Sequence, residues 1–349
     1  MALFTNSFLQ HDETIFKDEL VLDFEYLPHI LKFRENQQQH IATIIKPLFA
    51  GRMGSNLLIT GKPGIGKTAA CKHVLREMEQ HSDKIIGIYV NCWKQNTAFK
   101  VMVDICQQLG YKWVQNKKTN ELMEEIAKII NKKAAVIVLD EIDKLEEEQV
   151  IYQLVEDIFK KCIILITNDK DFLSMLDQRT RSRLLPEILE FSSYKYNEIE
   201  SILEERKKFA FYNDVLKEEP FKAIIEKCFE REDIRTGLFL LKESGNAAEN
   251  RSSKIISSED VQKAIGKITI FNQTRILLDE EEKELLRIIK EHTGENVTKI
   301  YELYNAKFNK SDRTFRRKLV TLKENKLVEV RDDRELTGTI NPRIHLIKD

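Results

Sequence analysis

The chain has 349 residues, enough for two or three domains with a substantial core. Charged residues make up 32% of it and cancel to a net charge of −1, which excludes a polycation that coats nucleic acid indiscriminately; any such affinity has to come from a local basic surface. Only 12 glycines and 6 prolines argue against a loop-rich or disordered chain, and the five cysteines form no C-x-x-C pair, so they read as reduced, buried thiols and not as a zinc or disulfide framework.

The opening residues MALFTNSFLQHDETIFKDEL lack a basic stretch followed by an apolar one, and no apolar run is long enough for a bilayer span. A soluble, intracellular protein without a membrane partner is expected. Over residues 1–193, short β-rich runs, NLLIT (56–60), IIGIYV (85–90), AAVIVLD (134–140) and CIILITN (162–168), alternate with amphipathic stretches such as 97–110 and 149–161. That rhythm predicts an α/β domain, a parallel sheet with helices on both faces.

The rhythm stops near Tyr194. Residues 194–273 carry only helical periodicity, at 197–211, 219–229, 234–250 and 257–271, the last capped by Ser257 or Ser258. They are expected to form an all-helical domain. In residues 274–349, helices are predicted at 279–292, 298–308 and 311–326, followed by strand-like LVEVRD (327–332) and RIHLIK (343–348) around a turn-rich DRELTGTINP. Three helices and a hairpin outline a winged helix-turn-helix.

The first strand runs into Gly61-Lys62-Pro63-Gly64-Ile65-Gly66-Lys67-Thr68-Ala69, which fits the G-x-x-x-x-G-K-[ST] pattern between a strand and a helix. Glycines let the loop turn its N–H groups toward phosphates, and the helix N-terminus adds partial positive charge. Lys67 would neutralise phosphate oxygens, and the Thr68 hydroxyl would complete a Mg²⁺ shell. On a second strand, VIVLDEIDKL (136–145) ends in two acids. Asp140 is expected to hold Mg²⁺ through water and Glu141 to polarise an attacking water, which favours an ATPase over a small-molecule kinase.

Through these residues the chain resembles the AAA+ ATPases, and more narrowly the archaeal replication initiators related to origin-recognition-complex subunit one and cell-division-cycle protein six. The resemblance is carried by IFKDELVLDFEYLPHILKFRENQ (15–37), YVNC (89–92), LDEID (139–143), ITND (166–169), LDQRTRSRLLPEILEFSSY (176–194) and REDIRTGLFLLKESGNAAE (231–249). It implies that the leading segment passes over the adenine, with Tyr26, Pro28 and Arg34 at the nucleotide. Asn168 matches sensor 1 and Arg235 matches sensor 2, although Glu232 stands where the family's lid motif has glycine. Asn91 matches a polar residue that holds the catalytic glutamate inactive. Arg183, with Arg179 as second candidate, matches the finger that acts on ATP in a neighbouring subunit; Arg181 lies between them. The resemblance also implies a DNA-touching element near residues 108–125, where Lys117 and Lys118 are available.

In SDRTFRRKLVTLKENK (311–326), Phe315, Leu319 and Leu322 form a buried stripe, with Ser311 or Asp312 as cap. Arg313 and Arg317 then fall on the outer face, flanked by Arg316, as a recognition helix requires. Arg334, Thr337, Gly338 and Arg343 are expected on a wing; a winged helix used for protein contacts is the alternative. The combined expectation is a cytoplasmic, nucleoid-associated, slow ATPase that uses ATP/ADP and Mg²⁺ as a switch. Its expected partners are double-stranded origin DNA, other initiator subunits and a replicative helicase. An ATP-regulated transcription or accessory regulator, and a clamp-loader-like or motor ATPase, are the rival readings.

Overall fold

The computed structural model describes residues 14–275, 280–308, 310–324, 327–334 and 340–346. The chain divides at Ile265–Gly266 into two compact units.

The first unit runs through a short 3-10 turn (Glu19–Leu22), α1 (Glu35–Phe49), β1 (Leu57–Thr60), α2 (Lys67–His81), β2 (Ile85–Asn91), α3 (Ala98–Gln108), α4 (Thr119–Ile130), β3 (Ala134–Asp140), α5 (Gln149–Asp157), β4 (Lys161–Ile166), α6 (Phe172–Met175), α7 (Gln178–Leu184) and β5 (Glu187–Glu190). The five strands are parallel and ordered β2-β3-β4-β1-β5. β3 and β4 are buried along their whole length because helices cover both faces, which is why their sequences are continuous apolar runs. β1 sits between β4 and β5, so the loop that leaves its C-terminal end opens at the point where strand order reverses, the usual ligand site of an open α/β sheet.

Beyond shifts of a few residues at element ends, one strand and one helix end in this unit differ from the sequence reading. The strand β5 was not predicted, because EILE is an exposed edge with no apolar run; its strand geometry comes from pairing with β1, from Leu57 opposite Glu187 to Thr60 opposite Glu190. The helix predicted over 149–161 ends at Asp157. Asn131 stops it, its amide donating to the Asp157 carbonyl at 3.0 Å and accepting from the Phe159 N–H at 2.9 Å.

The rest of this unit is helical: α8 (Tyr196–Ala210), α9 (Glu218–Arg231), α10 (Ile234–Asn250) and the start of α11 (Ser258–Arg275). Ser257 caps α11, with Asp260 returning a bond to the Ser257 N–H at 2.9 Å.

The second unit contains α12 (Glu280–Glu291), α13 (Val297–Phe308), α14 (Asp312–Glu324) and an antiparallel hairpin of β6 (Val328–Arg334) and β7 (Ile340–Leu346). Leu285, Ile289, Ile300, Tyr304, Phe315, Leu322 and Ile344 form its core. It is a winged helix. Ser311 caps α14, accepting from the Thr314 N–H. Lys318 points inward from α14 and pairs with Glu281 at 3.4 Å, so part of the acidic run on α12 faces the interior of this unit. No described helix is long and apolar enough to cross a membrane.

Candidate functional site

The loop from Gly61 to Gly66 joins β1 to α2 and needs glycine at two crowded positions. At Gly64 (φ +72°) a Cβ would fall 1.7 Å from Asp233 Oδ1, and at Gly66 (φ +91°) it would fall 2.8 Å from the Tyr194 hydroxyl. Ile65 is buried beneath the loop and anchors it. The Lys67 ammonium is enclosed, donating to the carbonyls of Gly61 (2.6 Å) and Lys62 (2.7 Å) and to Asn168 Oδ1 (2.8 Å). Burial lowers its pKa from the usual lysine value to about 8, against the opposing pull of Asp140.

Asp140 is 2% exposed at the end of β3, and both its oxygens accept hydrogen bonds. Its Oδ2 accepts from Thr68 Oγ1 at 2.6 Å and from the Tyr89 hydroxyl at 2.7 Å, while Oδ1 accepts the Glu141 N–H at 2.9 Å. Glu141 leaves the strand in the left-handed region (φ +54°). Asn91 Nδ2 donates to Glu141 Oε2 at 3.3 Å, and Asn91 Oδ1 is occupied by the N–H groups of Trp93 and Lys94. The amide orientation is therefore set, with its donor end toward the glutamate.

These groups open into a cleft of about 350 Å³. One wall is the leading segment with Tyr26 and Pro28, the floor is the loop with Pro63, Lys67, Thr68 and Ala69, and the far wall is α8 and α10 with Arg206, Arg235 and Leu238. Tyrosine, proline and leucine side chains on the walls, beside Arg206 and Arg235 and above a cationic floor, suit a ligand with a flat apolar end and an anionic tail. A glycine cradle, a buried ammonium, and a hydroxyl paired with a carboxylate fit a nucleoside polyphosphate with a divalent cation; Thr68 and Asp140 would hold the cation, directly or through water.

Most of the sequence-predicted residues meet here, but Arg34 needs correcting. It is 4% exposed and does not line the cleft. Its guanidinium donates to the carbonyls of Ile65 (3.0 Å), Phe33 (3.0 Å) and Ser192 (2.8 Å) and lies 3.7 Å from the Tyr194 ring centroid. Arg34 thus supports the glycine loop from below, because a planar five-donor fork can satisfy several carbonyls at once.

Arg235 lines the cleft but is engaged by Asp233, its Nη2 donating to Oδ2 at 2.7 Å and its Nε bonding both oxygens. The turn before it forms with Glu232 in the left-handed region (φ +51°), the conformation that glycine adopts without strain. Glu232 reaches back to Lys62 of the loop and accepts from Ser193 Oγ, and the Ile234 N–H donates to the Gly64 carbonyl at 3.2 Å. Arg179, Arg181 and Arg183 lie on α7 and do not line the cleft. Arg183 Nε pairs with Glu156 at 3.1 Å; among the described residues Arg179 and Arg181 make no ion pair.

Sequence reasoning missed Arg206 and Tyr89. Arg206 lies over the Tyr26 ring at 4.8 Å and donates to the Val21 carbonyl, a pairing without any local pattern. Tyr89 was visible inside YVNC without a role.

On the winged helix, Arg313, Arg316 and Arg317 are exposed on α14, with Arg316 bonded to Asp312 at 2.6 Å. Arg343 is corrected: it is half-buried on β7, below the hairpin end, and donates to the Gly294 carbonyl at 3.4 Å. Arg334 is the last residue of β6, and Thr337 and Gly338 lie outside the described residues.

A parallel 2-3-4-1-5 sheet with this loop, the Asp140–Glu141 pair and a helical lid defines an AAA+ ATPase domain. An AAA domain family matches residues 52–176, and the Cdc6 AAA+ ATPase-type lid domain matches residues 200–266. The chain is 32% identical over 315 residues to ORC1-type DNA replication protein 2 of Methanosarcina mazei, covering 86% of this chain and 84% of that one. It is 33% identical over 287 residues to ORC1-type DNA replication protein 1 of Archaeoglobus fulgidus, covering 77% and 69%. The solved structure of the Aeropyrum pernix ORC1 protein in complex with DNA superposes with a TM-score of 0.76 at 25% identity, covering 99% of this chain and 95% of that one. The chain belongs to the archaeal initiator family of ORC1-type DNA replication proteins.

Proposed function

We propose that this protein is an ATP-dependent replication initiator that binds duplex DNA at origins and uses its nucleotide as a switch for assembly and helicase recruitment. The observation that carries this reading is the convergence of Lys67, Thr68, Asp140, Asn168 and Arg235 on one cleft, in a chain that also carries a winged helix. The reading takes residues 1–193 as the nucleotide-binding domain, 194–273 as the lid and 274–349 as the DNA-binding domain.

Within the cleft, the loop N–H groups and Lys67 bind the phosphates, and Tyr26, Pro28 and the lid hold the base. Bound Mg²⁺ would add positive charge at the phosphates, which lowers the cost of charge developing there. Glu141 acts as the base that orients water, once Asn91 releases it. Asn168 bridges Lys67 to the reacting phosphate, and Arg235 reports nucleotide state after leaving Asp233. Hydrolysis is slow in the isolated chain because a finger from α7 of a neighbour, Arg183 or Arg179, has to complete the site. Arg183 would first part from Glu156.

Arg313, Arg316 and Arg317 contact the duplex through the outer face of α14, with Arg334 on the wing. The loop between α3 and α4, with Lys117, Lys118 and the 80% exposed Trp113, provides a second contact. The Aeropyrum pernix relative was solved with DNA, which supports carrying DNA binding to this chain. Footprinting of the purified protein on replication-start DNA, with and without ATP, tests the reading. Protection of repeated sites is expected; absence of protection at any such site would overturn it.

A further inference from the structure

Tyr89 occupies a position that no part of the nucleotide reading uses. It lies on β2, an edge of the sheet, where the backbone of a strand is ordinarily open on one side. Here the open side is closed by one side chain: Gln108, the last residue of α3, accepts the Tyr89 N–H at 3.1 Å and donates to the Tyr89 carbonyl at 2.8 Å. The Lys72 ammonium, from α2, lies 4.5 Å from the centre of the Tyr89 ring. The residue is therefore clamped through its backbone and covered at its ring, and its hydroxyl is delivered 2.7 Å from Asp140 Oδ2.

That oxygen is also the one bonded by Thr68 Oγ1. With two hydroxyls on Oδ2 and the Glu141 N–H on Oδ1, the carboxylate has no free rotation about its side chain. Removing Tyr89's hydroxyl leaves Oδ2 with one donor and lets the carboxylate turn. Partners that orient a cation's ligands typically contribute 10–100-fold to its affinity, although they never touch it.

We infer that Tyr89, clamped by Gln108, is a positioning residue that holds Asp140 in the orientation required to take a divalent cation with the nucleotide phosphates. The inference rests on the nucleotide reading of this cleft and adds to it a residue outside the loop and the two acids. It also gives the α3–α4 region a physical line to the cation site, since Gln108 is where α3 ends and that loop begins.

The test uses the full chain and a fluorescent ATP analogue, titrated in EDTA and in rising MgCl₂. For Tyr89→Phe, affinity in EDTA stays within about twofold of wild type and the thermal midpoint is unchanged. The Mg²⁺ concentration for half-maximal enhancement of binding rises by roughly tenfold or more. Gln108→Leu, which leaves the phenol in place but unclamps the strand, shifts the Mg²⁺ requirement in the same direction by less. A Tyr89→Phe protein with wild-type Mg²⁺ half-saturation overturns the inference while leaving the nucleotide site standing. Loss of binding in EDTA as well as in Mg²⁺ also overturns it, since the role would then be structural. If wild type binds the analogue in neither condition, the nucleotide reading fails with it.

Discussion

Arg235 is chelated by Asp233, two residues earlier in the same turn, through both its Nε and its Nη2. The same carboxylate caps α10 by accepting the Arg235 N–H, and its hydrogen bonds raise the arginine's pKa further. A guanidinium that is to reach phosphate must first leave this partner. Asp233→Asn retains a good cap but removes the charge. An exposed pair of this kind contributes about 0–1 kcal/mol, so the variant is expected to bind ATP up to about fivefold more tightly. Isothermal titration measures this; weaker binding would count against Arg235 acting at the phosphates.

The enclosure of Lys67 sets a pH dependence. Its pKa is near 8 because burial disfavours the ammonium, and bound phosphate would restore the charge and raise that value. Below pH 8 the lysine is already protonated, so affinity is flat. Above it, binding has to take up a proton, and affinity should fall by up to about tenfold per pH unit until the bound-state pKa is reached. Lys67→Ala should lose this slope together with most of the affinity, which a fluorescent-nucleotide titration across pH 7–10 would read.

Glu232 combines an unfavourable backbone with a favourable contact. Its left-handed conformation costs roughly 1 kcal/mol relative to glycine, while its bridge to Lys62 is solvent-exposed and worth little. Glu232→Gly is therefore expected to be as stable as wild type or slightly more so. Glu232→Ala, which keeps the strain and loses the bridge, should lie about 1 kcal/mol below the glycine variant in urea denaturation. Equal stabilities would refute the strain argument.

The basic residues of the winged helix are expected to separate by their surroundings. Arg313→Ala and Arg317→Ala should each weaken duplex binding and reduce the slope of log affinity against log salt by about 1. Arg343→Ala should leave that slope unchanged, because its guanidinium is engaged at the Gly294 carbonyl, and should instead lower stability by about 1 kcal/mol. Fluorescence anisotropy over a salt series, beside thermal melting, distinguishes the two outcomes.

Much of the fold was legible because it is written in local patterns. β3 and β4 are fully buried central strands, so their apolar runs needed no partner to be recognised, and the glycine loop with Lys67 and Thr68 declares its backbone geometry in eight residues. The stripe Phe315, Leu319, Leu322 followed in the same way from helical period. β5 was not legible, since an exposed edge becomes a strand only by pairing with β1.

The amino-acid sequence by itself determined the chemistry at hand: a phosphate loop, two acids after a buried strand, a lid arginine and a basic helix. Tertiary structure alone decided what each polar side chain does with its hydrogen bonds. Arg34 turned from the cleft to the carbonyls of Ile65, Phe33 and Ser192, Tyr89 joined Thr68 on one oxygen of Asp140, Glu232 closed onto Lys62, and Arg343 turned to Gly294. Those outcomes depend on partners up to 170 residues away, and for buried groups such as Arg34 the need to satisfy donors and acceptors operates only once the chain has brought them together.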